Sequence, residues 1–504
     1  MLVFLFCVAM LVAGYFIYGA LAEKIFGIKP QRATPAHKSA DGVDYVPMSR
    51  AKVWLIQLLN IAGTGPIFGP ILGAVYGPVA MVWIVIGCIF AGAVHDYYCG
   101  MISIRNNGAS IPALAGRYIG APAKHFINVI ALVLLILVGV VFVVSPAGLL
   151  TTITEQVLGR SGEMVQKGHD AHDNLILIWT VIIFAYYILA TLLPIDKIIG
   201  RFYPIFGALL IFMTLGMLFG LFFEGIPLFQ TVGLEETLSF SHFFQNFQPN
   251  AAGVPIWPLI FITITCGAIS GFHATQTPLM ARCTENEREG RFIFYGAMIT
   301  EGVIALIWCM VGLSFYDDVR VLQEAIRTGT PSKVVYDAAT SMLGFFGGIV
   351  AVLGVVVLPI TSGDTAFRAA RLQIAEFVKL DQRKAVNRLL ITIPMFVLAI
   401  VISELDFRKL WQYFGWANQT TATLMLWVAA AYLARHDKFH WICTVPAVFM
   451  TAVCTSYLFF DKIGFGLEWN TAVIIGCALT LAITVAFVIG IKPLPQPVLA
   501  ESDD

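Results

Sequence analysis

Apolar runs long enough to cross a bilayer, about 20 residues each, recur along this whole chain. They can be placed at approximately 2–21, 53–76, 78–103, 122–150, 174–194, 198–223, 254–280, 292–313, 338–361, 386–403, 410–433, 439–460 and 469–491, thirteen in all. In lipid every backbone N–H and C=O must find a partner within the protein, so each run is expected to be a helix. The expected fold class is an all-α polytopic membrane protein with about 13 transmembrane helices. Composition agrees, because 58% hydrophobic and 12% charged residues give too little charge to cover a soluble domain. Thirty-one basic and 31 acidic residues cancel, so no nucleic-acid partner is expected.

The run from Leu2 to Leu21 has no basic residue before it and no small-residue cleavage site after it. It reads as a retained anchor with its N-terminus outside, rather than a signal peptide. With that start, the external loops hold only Arg160, Lys167, Arg320, Arg327, Lys333, Arg408, Lys409 and Lys462. All other Lys and Arg fall on the opposite side, including the basic run within 379–388. By the positive-inside rule that side, with the C-terminus, faces the cytoplasm, and the setting is the inner (cytoplasmic) membrane. The nine cysteines show no metal-type pairing and lie almost entirely in apolar segments. Neither a disulfide framework nor a metal site is indicated.

Two of the runs are interrupted. Residues 58–73, LLNIAGTGPIFGPILG, carry Gly63, Gly65, Gly69, Gly73, Pro66 and Pro70. Residues 265–278, TCGAISGFHATQTP, carry Gly267, Gly271 and Pro278 amid hydroxyl, amide and imidazole side chains. Glycines alone would suit close helix packing, but two prolines among four glycines exceed what packing needs. Non-helical backbone survives at membrane depth only where protein or a water-filled cavity satisfies it. Each interrupted run opens a set of five, and the two run in opposite senses. That is the layout of a 5+5 inverted repeat, with a site built at the breaks. The expected organisation is an anchor at 1–23, a cytoplasmic loop at 24–52 and a first repeat at 53–223. An external loop at 224–253, a second repeat at 254–433 and two peripheral helices with the C-terminus at 434–504 complete it.

Several stretches resemble the carbon starvation protein A (CstA) family of membrane transporters. They are TPAHKSADGVDYVPMSR (34–50), NIAGTGPIFGPILGAVYGP (60–78), WIVIGCIFAGAVHDYYCGMISIRNNGASI (83–111), CGAISGFHATQTP (266–278) and TSGDTAFRAAR (361–371). The resemblance implies ion-coupled uptake of small peptides under carbon starvation, with pyruvate/proton symport as the alternative. It also implies the LeuT/APC-like five-plus-five fold. Some family members are considerably longer than this chain.

Site residues follow from the breaks and from polar groups placed where charge is costly. In sodium-coupled transporters of that fold a hydroxyl pair meets carbonyls of the first broken helix. Carried over, Thr361 and Ser362 would face the carbonyls near Ala62 and Gly63, with Asp364 neutralising the cation or carrying the proton. The plain alternative is a helix end with Asp364 paired to Arg368 one turn on. Asn60, Gly63, Thr64 and Gly65 at the first break, and Gly271, His273, Gln276 and Thr277 at the second, are the expected substrate contacts. Half-helix amides would meet a substrate carboxylate. His273 also suits protonation near neutral pH. His95, Asp96 and Glu301 are charges within apolar runs and so proton-relay candidates by default; for His95 and Asp96 the alternative is a pair with Arg105 or Arg117. The loop 160–173 mixes His and Asp without fixed ligand spacing, and solvation is the expected reading.

No GxxxxGK[ST] loop occurs, so nucleotide hydrolysis within this chain cannot drive transport. An intramembrane enzyme using His95, Asp96 and His273 would need a metal or a nucleophile–base pair, and neither HExxH nor a suitable GxSxG is present. A sensor or channel is the remaining class. The leading expectation is a non-enzymatic secondary transporter with no cofactor, coupled to H+ or Na+. Its partners are a small-molecule substrate (peptide or pyruvate) and the lipid bilayer.

Overall fold

The computed structural model describes residues 2–491 apart from 42–44, 160–169, 193–194, 224–225, 235–238, 252, 381 and 383. Helix α1 (Leu2–Phe26) comes first. The next crossing is split into α2 (Arg50–Ile61) and α3 (Gly65–Ala74). It is followed by α4 (Val79–Arg105), α5 (Ala121–Val157), α6 (Asp170–Leu192) and α7 (Ile195–Phe223). A second split crossing, α8 (Ile256–Thr263) and α9 (Gly271–Ala281), opens the matching set. That set continues with α10 (Glu287–Ser314), α11 (Val319–Val378), α12 (Ala385–Ser403) and α13 (Phe407–Arg435). Helices α14 (Trp441–Phe460) and α15 (Trp469–Gly490) close the described chain. Among the described residues the only β pairing is an isolated parallel bridge between Met48 and Thr284.

Ten of the described helices are long and apolar enough to cross a membrane alone, and α2 with α3, bent by 49°, makes an eleventh. The expected thirteen is not reached by that measure. Helices α8 and α9 have only 8 and 11 residues, and α13 carries a polar run from Asn418 to Thr423. The largest departure from the expected spans is α11, 60 residues long with non-helical backbone at Gly329, Thr330 and Gly344. Its flanks mix polar with apolar residues, so hydropathy marked only its centre. Thr361, Ser362 and Asp364 therefore sit inside a helix that continues to Val378, not at a helix end.

Both breaks have a local cause. Pro66 lacks an amide hydrogen, and its ring would clash with the carbonyl four residues earlier, so α2 cannot run on into α3; the chain unwinds over Ala62–Thr64 instead. In the second gap, residues 264–270, Gly267 takes φ +82°, a conformation that L side chains rarely adopt. The gaps lie against one another: a Cβ on Gly65 would come within 2.3 Å of Cys266 Sγ. Around this seam α10 packs on α2 and α3, while α9 packs on α2, α4 and α13.

Candidate functional site

A continuous line of buried titratable side chains runs beside the second gap. In α4 a π-helical turn, Cys88–Gly92, precedes His95 and Asp96; such turns insert a residue and re-aim the side chains beyond them. His95 Nδ1 lies 2.7 Å from Asp96 Oδ1. Asp96 Oδ2 lies 2.9 Å from Nδ1 of His273, in the first turn of α9. The other nitrogen of His273, Nε2, is 3.2 Å from Glu301 Oε2 on α10. Glu301 Oε1 in turn accepts the Gly267 amide at 3.1 Å. All four side chains are fully buried.

The donor inventory restricts the proton positions. An ionised carboxylate only accepts, so Asp96 orients both imidazoles with their Nδ1–H groups toward it. That leaves Nε2 of each ring as the second site. His95 Nε2, His273 Nε2 and Glu301 Oε2 have no hydrogen-bond partner. The His273–Glu301 approach is thus close enough for an ion pair but off the line of a hydrogen bond. An imidazole lone pair facing a carboxylate oxygen is repulsive unless a cation lies between them. A proton is the simplest one.

The main chain of the second gap is satisfied by α13. Asn418 Nδ2 donates to the Thr265 carbonyl at 2.6 Å, and Asn418 Oδ1 accepts from the Phe272 amide and the Ser270 hydroxyl at 2.8 and 3.2 Å. Gln419 Nε2 donates to the carbonyls of Phe261 and Ile264, and Trp411 Nε1 to that of Thr263. Sequence reasoning missed this entire contribution. Its only signal was the polar run 418–423 in an otherwise apolar helix.

The remaining expected residues lie on α11, on α9 and along the seam. Ser362 Oγ donates to the carbonyls of Leu59 and Asn60, each at 3.3 Å, three residues before the expected pair Ala62 and Gly63. The Thr361 hydroxyl donates back to the Leu358 carbonyl within its own helix, and Asp364 pairs with Arg368 at 3.6 Å, the pairing expected in the plainer alternative. His273 faces Asp96 through Nδ1 at 2.9 Å and Glu301 through Nε2 at 3.2 Å. Gly271 is pressed against α13, where a Cβ would meet the Asn418 carbonyl oxygen at 2.2 Å. Thr277 links Gln57 Nε2 to the His273 carbonyl. The Thr64 hydroxyl, Gln57 Oε1 and Gln276 Oε1 are buried without hydrogen-bond partners. Asn60, Gly63 and Gly65 are buried at the seam.

Arg105 and Arg117 do not pair with His95 or Asp96. Arg105 binds Glu287, with contacts of 3.1 and 3.0 Å, and Arg117 binds Asn106. Most of the loop 160–173 lies outside the described residues; His172 there meets Glu155 at 2.8 Å. One member of the cluster went unmarked in sequence, Cys266. Its Sγ, a ring nitrogen of His273 and a carboxylate oxygen of Glu301 all lie within 4.8 Å of one another.

The family model for carbon starvation protein CstA matches residues 1–158, 161–344 and 326–457. The chain belongs to the CstA family. An uncharacterized membrane protein of Haemophilus influenzae is 63% identical over 353 residues, 65% of this chain and 95% of that protein. A peptide transporter CstA of Campylobacter jejuni is 26% identical, spanning 91% of this chain and 79% of its own length. The pyruvate/proton symporter BtsT of Escherichia coli is 30% identical over 57% of this chain and 45% of that protein. Among solved structures, MhsT in complex with L-phenylalanine superposes with a TM-score of 0.56 at 13% identity, covering 88% of this chain and 99% of that one. The fold is the LeuT-like five-plus-five inverted repeat, and this CstA-family member is a membrane transporter rather than an enzyme.

Proposed function

We propose that this CstA-family chain imports small peptides across the cytoplasmic membrane in symport with protons when carbon is limiting. The observation that carries the reading is the buried line His95–Asp96–His273–Glu301, which ends on the Gly267 amide inside the gap. Desolvated charges are costly and must be paired, so gain or loss of one proton along this line changes what holds the gap together. Alternating access then follows if the protonated and deprotonated lines favour different packings of the broken helices against α10 and α13. Substrate would lie along the seam between the gaps, where the Thr64 hydroxyl and Gln276 Oε1 offer unpartnered polar atoms. Pyruvate as the substrate is the second reading, favoured by the 30% identity to BtsT. The carboxylate common to both substrates suits the same half-helix amides.

The test is purified protein in liposomes, given labelled dipeptide or pyruvate under a proton gradient alone and a sodium gradient alone. Uphill uptake is expected with the proton gradient only. Glu301→Gln is expected to abolish accumulation while leaving the protein folded and downhill exchange measurable. Full accumulation by that variant, or drive by sodium alone, would overturn the proton assignment. Gln276→Ala is expected to raise the KM for substrate while the accumulation ratio at saturation stays near that of the unaltered protein.

A further inference from the structure

We infer that Cys266, His273 and Glu301 form a binding site for a thiophilic divalent cation of the zinc class. His273 is held in one orientation from behind. Its Nδ1 is held by Asp96 at 2.9 Å, and Asp96 is itself held by His95 at 2.7 Å. A carboxylate on one imidazole nitrogen is the support that makes the other a metal ligand, because it sets the tautomer and the ring orientation. Here the other nitrogen, Nε2, has no hydrogen-bond partner and lies 3.2 Å from Glu301 Oε2.

Glu301 is prepared in the same way. The Gly267 amide holds Oε1 and leaves Oε2 buried and unpartnered. The separation between Nε2 and Oε2 is 3.2 Å. Two ligands at about 2.0–2.2 Å from a tetrahedral metal lie about 3.3–3.6 Å apart, so this pair is within about 0.1 Å of the required spacing. Cys266 supplies the third donor, with the ligating atoms of all three residues within 4.8 Å of one another. A set of one sulfur, one nitrogen and one oxygen selects zinc, cobalt or cadmium over magnesium and calcium, which prefer oxygen alone. Three protein ligands leave a fourth position open, as in zinc sites that exchange a ligand.

The site spans three separate elements. Cys266 lies in the second gap, His273 in the first turn of α9, and Glu301 on α10. A bound cation would tie the gap to α10 and occupy the place between Nε2 and Oε2 that a proton otherwise takes. Metal and proton therefore exclude one another, and binding weakens as the medium is acidified. Metal binding is read directly and does not rest on what the protein transports.

The experiment uses the full chain, purified in detergent, stripped with a chelator and titrated with Co2+ as a spectroscopic probe. Saturable uptake of one equivalent is expected, with a thiolate-to-cobalt charge-transfer absorption that Zn2+ abolishes and Mg2+ does not. Cys266→Ser is expected to lose that absorption and to bind Zn2+ at least about tenfold more weakly, while Cys477→Ser, at an exposed cysteine, leaves both unchanged. Zn2+ is further expected to raise the melting temperature of the unaltered protein but not of Glu301→Gln. No saturable binding, or a charge-transfer band that survives in Cys266→Ser, would overturn the site.

Discussion

Asn418 sits at the centre of the second gap without belonging to it. One primary amide serves a carbonyl, a backbone amide and a hydroxyl of residues 265–272. Each of these groups, left bare in an apolar interior, costs about 1–3 kcal/mol. Asn418→Leu, close in volume but unable to hydrogen-bond, is expected to lower stability by roughly 2–4 kcal/mol, read as a fall in melting temperature in detergent. Asn418→Asp would set a carboxylate oxygen against the Thr265 carbonyl in an apolar interior, so its loss should be at least as large. Equal melting temperatures for Asn418→Leu and the unaltered protein would show that water, not α13, satisfies the gap. His95, Asp96 and Glu301 were each visible in sequence as charges where lipid is expected. Cys266 was not, because a cysteine in an apolar run is ordinary until its neighbours are known.

At the scale of elements, the interrupted crossings are where sequence and structure meet most directly. Gly and Pro act within a turn of where they stand, so the places at which α2 and α8 end were legible from spacing. Gly267 combines φ +82° with a neighbour so close that a Cβ would lie 2.3 Å from that of Ala305. Gly267→Ala is expected to cut the yield of monodisperse protein sharply, as judged by size-exclusion chromatography. Adding Ala305→Gly should restore part of that yield, since it removes the clash and leaves the backbone strain of about 1–2 kcal/mol. Gly148 on α5 is the control: a Cβ there meets Ser332 at an ordinary 3.5 Å, and Gly148→Ala should behave as the unaltered protein. The full length of α11 was not legible, because residues 319–337 and 362–378 mix polar and apolar positions and derive their helicity from packing. Helix α11 lies along α5 and α7, and burial against them stabilises turns that hydropathy does not mark.

Across the whole molecule, a second charge cluster closes the face that the basic-residue bias assigns to the cytoplasm. Arg105 at the end of α4 makes a two-point contact with Glu287, donates to the Gly27 carbonyl at 2.7 Å and to the Tyr432 hydroxyl at 3.3 Å. Its guanidinium also stacks over Phe26, 4.1 Å from the ring centre. One side chain thereby joins α1, α4, α10 and α13. Glu287 is fully buried, and removing one partner of such a pair costs about 3–5 kcal/mol. Glu287→Gln should lower the melting temperature more than the double variant Arg105→Gln/Glu287→Gln, because the single change leaves a guanidinium without its counter-charge. Additive effects of the two changes in a double-mutant cycle would mean that the pair is not coupled.

Short-range chemistry decided that this chain lives in a membrane, that its crossings are helices, and that two of them must break. Apolar length, proline sterics and glycine freedom all act within a few residues. Long-range packing decided what the breaks are for. It took Asn418, some 150 positions from Gly267, to satisfy the second gap. It took three separate helices to align His95 and Asp96 with His273 and Glu301. Partner choice among buried polar groups depends on which helices touch, and no pattern within a single helix encodes that.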